Sequence, residues 1–141
     1  MAFRLDGKTA LVTGGASGIG EQIARVFTAA GAAVIILDMD RAKAEALAAE
    51  LPGARVLSAD ITNEDQVRAA FAQVDRLDVL VNNAGIGMVG DVLETELADF
   101  QRLFRVNVEG LFLVTKHALP KLIDAHGSVV NFGSVAGLIG V

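Results

Sequence analysis

Five short apolar runs divide the chain, and between them the apolar residues recur at helical spacing. The runs are "KTALVTGG" (8–15), "AAVIILD" (32–38), "ARVLSAD" (54–60), "DVLVNNAG" (78–85) and "SVVNFGS" (128–134). Each is continuous rather than alternating, which predicts strands buried on both faces. Ile19, Ile23, Val26, Phe27 and Ala30 predict a helix that closes at Gly31. "DRAKAEALAAEL" (40–51) predicts a second, stopped by Pro52 and Gly53. Thr62 is placed to cap a third, with Asp65 in capping-box position, running to Val74. After the glycine-containing loop "GIGMVGD", residues 95–127 predict one long helix bent by Pro120.

Strands alternating with helices in this way mean repeated βαβ units. The expectation is a single α/β domain over 1–141, with a Rossmann-like, doubly wound parallel sheet of five strands. Ligands of such sheets lie outside the carboxyl ends of the strands. Here those ends carry "TGGASGIG", "DMD", "ADI", "NNAG" and "GSVAG".

Composition narrows the class. With 141 residues, 52% of them hydrophobic, the chain can form one core. No apolar run approaches a membrane span, and the charged start "MAFRLDGK" does not read as a signal peptide. There is no Cys, so neither a disulfide nor a thiolate metal site is expected. The net charge is −5 with no basic cluster, which argues against nucleic acid as a partner. A cytoplasmic location is expected. His117 and His126 lack ligands at metal spacing and read as exposed helix residues, so no metal is expected.

The glycines of "TGGASGIG" (13–20) fall between a strand and a helix. Gly14 suits a tight turn, while Gly18 and Gly20 allow a pyrophosphate and the strand to approach closely. The helix start then offers free N–H groups to phosphate. Asp38 ends the second strand, where a carboxylate can accept from both ribose hydroxyls of NAD and repel the 2′-phosphate of NADP. Arg41 is the nearest cation in sequence. Read from the residues alone, Asp60 is a helix-capping acid. Likewise "NNAG" is a turn, Asn107 a hydrogen-bonded structural amide in a helix, and Ser134 a cap.

The motifs "TGGASGIG", "NNAG", "VNVEG" and "NFGSVAG" occur together in the order of the short-chain dehydrogenase/reductase family, which the chain resembles from Leu5 onward. The resemblance implies that Ser17 and Ile19, with Gly14, Gly18 and Gly20, hold the pyrophosphate and adjoining ribose. It implies that Asp60, followed by Ile61, binds the adenine amino group. Asn82, Ala84 and Gly85 would lie beside the nicotinamide ribose and fix the fourth strand. It further implies hydride transfer between NAD and a small-molecule carbonyl or alcohol, with Ser134 orienting the substrate oxygen and Asn107 holding a water in a proton relay. Ile86, Met88 and Leu138 are candidates for an apolar wall.

The family's proton donor is a Tyr with a Lys four residues later, and this chain contains no Tyr. The expectation is therefore an incomplete chain that lacks the acid–base pair and does not turn over alone. The alternatives are a non-catalytic dinucleotide-binding module and a fragment needing a complementing chain. Leu80, Val129 or Phe132 should lie exposed, and a homo-oligomer or a complementing chain is expected.

Overall fold

The computed structural model describes residues 3–135. Strands and helices alternate as the apolar runs require: β1 (Thr9–Thr13), α1 (Gly18–Ala29), β2 (Ala33–Asp38), α2 (Arg41–Glu50), β3 (Arg55–Ser58), α3 (Glu64–Phe71), β4 (Val79–Asn82), α4 (Leu97–Phe104), α5 (Leu111–Ala125) and β5 (Ser128–Asn131). All strand pairs are parallel, in the order β3-β2-β1-β4-β5. The direction of winding reverses between β1 and β4, and that switch point is where such sheets open a crevice.

Strand parity builds two cores. Ile35 and Leu37 of β2 join Leu11, Leu80, Phe71 and Val114 on the face covered by α3 and α5. Val34 and Ile36 point the other way, to Ala24, Ala44 and Leu47 under α1 and α2. Both faces of the central strands are thus dry, which is why their sequences run apolar without a break.

Three details depart from the expected elements. Asn63, not Thr62, caps α3: its side chain accepts from Gln66 N at 3.2 Å. Thr62 instead donates its hydroxyl to Asp60 Oδ1 at 2.8 Å. Residues 95–127 are not one helix, because a π-helical segment, Arg105–Gly110, separates α4 from α5. α5 continues through Pro120 without a break. Finally β5 is not buried: it is the sheet's edge, and all four of its residues are exposed. Val129 and Phe132 are exposed as expected, whereas Leu80 is fully buried in the α3–α5 core. His117 is only 19% exposed, because it turns its ring toward Glu64 across the α3–α5 contact.

Candidate functional site

The carboxyl end of β1 is tied to that of β4 by one residue. Thr13 is 2% exposed, and its hydroxyl must find partners in the core. It accepts from Asn83 N (3.1 Å) and Ala84 N (3.0 Å), and it lies 3.4 Å from the Val81 carbonyl. Asn83 returns the contact, donating its side-chain amide to the carbonyls of Thr13 and Gly14, both at 3.1 Å. Neither residue stood out in the sequence. The available signal was a hydroxyl at the end of an otherwise apolar strand.

Gly14 has a positive φ of 60°, and a Cβ there would sit 2.9 Å from Ala84 Cα. At Gly20 an added methyl would run into the Gly14 carbonyl oxygen and lie 2.6 Å from Asn83 Nδ2. The loop and α1 therefore close on each other only because both positions are glycine. The amino end of α1, with Ser17 as N-cap and no side chain capping it, faces the same opening. Its unpaired N–H groups and positive dipole end favour an anion.

A cavity of about 740 Å³ opens along the carboxyl edge of the sheet. Of the expected site residues, Gly14, Ser17, Ile19, Asp38, Asp60, Ile61, Ala84 and Gly85 line it. Gly18, with φ 56°, and Gly20 lie in the first turn of α1 and are not among the lining residues. Asp38 is held from two sides: Oδ2 accepts from Ala16 N and Oδ1 from Asp40 N, both at 3.0 Å. Each oxygen keeps a lone pair for a further donor. Asp60 does not cap α3, a role that Asn63 takes; its Oδ1 accepts from Thr62 N and the Thr62 hydroxyl in a local turn, and it borders the cavity.

Asn82 lies elsewhere. It is 4% exposed, outside the cavity wall, and donates to Thr115 Oγ1 (3.0 Å) and Asn131 Oδ1 (2.8 Å). It joins β4 to β5 and α5, which fits a residue that fixes the fourth strand, and its neighbour Asn83 borders the cavity. Asn107 falls inside the π-helical segment. Its Oδ1 accepts from Ile86 N and its Nδ2 donates to Ile86 O, both at 2.9 Å. The extra residue per turn aims this amide at the loop after β4, a placement typical of π-bulges at functional sites. Ile86 lines the cavity. Met88 is exposed and is not part of its wall. Ser134 is exposed, three residues beyond the end of β5, and is not among the lining residues. Leu138 lies outside the described residues.

Cations enter the wall from an unexpected side. Arg41 pairs with Glu45 at 2.7 Å and does not line the cavity. Arg102 and Arg105, from α4 and the π-helical segment, do line it. Among the described residues no group of three His, Cys, Asp or Glu could hold a metal, and no helix is long and apolar enough to cross a membrane.

Comparison with known proteins agrees with this geometry. The profile of the family named short chain dehydrogenase matches residues 8–141. Meso-2,3-butanediol dehydrogenase of Serratia marcescens is 38% identical, over 98% of this chain and 57% of its own. L-fucose dehydrogenase of Bos taurus is 41% identical, over 99% of this chain and 54% of its own. A solved structure of a short chain dehydrogenase/reductase family protein superposes with a TM-score of 0.93 at 41% identity, covering 98% of this chain and 60% of that one. The chain thus spans little more than half the length of the curated relatives it matches. A glycine loop closed on β4, a π-bulged Asn and a family profile over nearly every residue lead to one conclusion: the chain belongs to the short-chain dehydrogenase/reductase family.

Proposed function

We propose that this chain is the dinucleotide-binding portion of an NAD(H)-dependent oxidoreductase that acts on a carbonyl or alcohol carbon of a small molecule. The observation that carries the reading is Asp38. It lines the cavity at the end of β2, its carboxylate is fixed by two backbone N–H groups, and it shares the wall with the glycine loop. A preorganised carboxylate there can accept from ribose hydroxyls without losing side-chain entropy and opposes a 2′-phosphate. When bound, the nicotinamide supplies the hydride acceptor or donor. The residues of this chain bind and orient. The amino end of α1 receives the diphosphate, Ile61 and Asp60 border the adenine side, and Asn107 fixes the backbone of Ile86. Ser134 is assigned the substrate oxygen by its motif.

Titration with NADH and NADPH tests the cofactor. The chain has neither Trp nor Tyr, so cofactor emission is read against a protein that contributes almost none. NADH should bind more tightly, and Asp38→Ala should narrow the difference. Preference for NADPH in the unaltered chain would overturn the assignment.

No Tyr is available in these residues to supply a proton. General acid–base catalysis is commonly worth about 10²–10⁴ in rate. The 141-residue chain should therefore bind cofactor without oxidising NADH against a panel of ketones and aldehydes. Turnover comparable to a full-length relative would show that another residue is the acid.

A further inference from the structure

Arg102 and Arg105 are set apart from the other arginines. Arg4, Arg25, Arg41, Arg55, Arg68 and Arg76 each donate to a carboxylate or a backbone carbonyl. Arg102 and Arg105 have no hydrogen bond or ion pair among the described residues, and both line the cavity. Their spacing places them on one helical stripe with Ala98 and Gln101, which also line it. The cavity's carboxylates, Asp38 and Asp60, are occupied by backbone N–H groups and a threonine hydroxyl, not by these guanidinium groups. The wall thus holds two cations with unused donors, and Ser17 and Ile19 at the amino end of α1 belong to the same wall.

We propose that Arg102 and Arg105 form a phosphate-binding wall that, together with the amino end of α1, holds the diphosphate of a bound nucleotide. This rests on the dinucleotide reading and adds to it. The α1 end supplies neutral N–H donors and a partial charge, whereas two guanidinium groups supply full charges and forked donors that match phosphate oxygens. The ligand class is a nucleoside diphosphate or its ester, and the arginines contribute through its phosphates rather than its base.

The test compares the unaltered chain with the Arg102→Gln/Arg105→Gln variant by calorimetry, using NADH, ADP, adenosine and inorganic pyrophosphate. Gln keeps helix propensity, and neither arginine has a partner in the fold to lose, so the thermal midpoints should agree. The variant should bind NADH and ADP about tenfold more weakly, roughly threefold per guanidinium, with a flatter salt dependence and unchanged adenosine affinity. If the unaltered chain binds NADH and the variant binds it equally well, the arginine wall is refuted and the dinucleotide reading stands. An equal loss of adenosine affinity also refutes it, because the arginines then act on the base. Arginine-dependent binding of pyrophosphate without NADH or ADP would keep the anion site and remove the dinucleotide. Binding of none of the four would remove both.

Discussion

At the scale of single residues, Asp78 is the buried charge on which the opposite end of the sheet depends. It is 3% exposed. Arg76 donates to it twice, at 2.7 and 2.9 Å, Thr9 N at 3.0 Å and Lys8 at 3.2 Å. The Arg76 guanidinium, helped by Thr9 N–H and Lys8 against the cost of burial, holds its carboxyl well below the usual carboxylate range. A pKa lowered by folding stabilises above the ordinary aspartate value of about 4, and that stabilisation is lost as the pH falls through the lowered value. Asp78→Asn should therefore cost about 1–3 kcal/mol at pH 7. Its deficit relative to the unaltered chain should shrink between pH 4 and pH 2. Thermal unfolding followed by circular dichroism across that range checks this, and a constant deficit would mean that the charge is not what matters. Spacing alone drew attention to Asp38 and Gly14, which line the cavity, but it could not separate Asn82 from Asn83. Asn82 is the last residue of β4 and Asn83 lies just past it, and only the pairing of β4 with β1 and β5 decides which amide meets the cavity.

Elements were more legible in their existence than in their ends and irregularities. The strands of the central sheet declared themselves because both faces are buried. The π-helical segment did not, since one extra residue barely disturbs an apolar pattern already spread around the helix. Asn63 took the cap from Thr62 because Asp60 had already claimed the threonine hydroxyl. The end of α5 carries a second consequence. His126 terminates it in the left-handed region, φ 51° and ψ 45°, with its N–H on Ile123 O. A side chain with a Cβ pays for that conformation, by roughly 1 kcal/mol. His126→Gly should raise the urea midpoint by a corresponding amount with an unchanged slope. A lower midpoint would show that the His side chain contributes more than its backbone costs.

For the whole molecule, the described residues leave much apolar surface in water. Phe100, Phe104, Phe112 and Ile123 are each 49–63% exposed along α4 and α5, and Ile19 and Val26 are similarly bare on α1. Patches of this kind favour association. Sedimentation should show species heavier than 14.7 kDa at micromolar concentration, and a clean monomer that binds no hydrophobic dye would contradict this. The edge position of β5 allows a sharper measurement. Ser128 N and Phe132 N donate to the carbonyls of Asp78 and Asn82, both at 2.9 Å. The two-residue period puts the amides of Val129 and Asn131 on the open side. In deuterated solvent, protons along this strand should therefore exchange in alternation, slow at 128 and 132 and fast at 129 and 131. If the molecule gains a neighbouring strand in solution, from a second copy or from a longer chain, the fast set becomes slow and the alternation disappears. Four amide protons would then report, residue by residue, whether the sheet continues beyond β5.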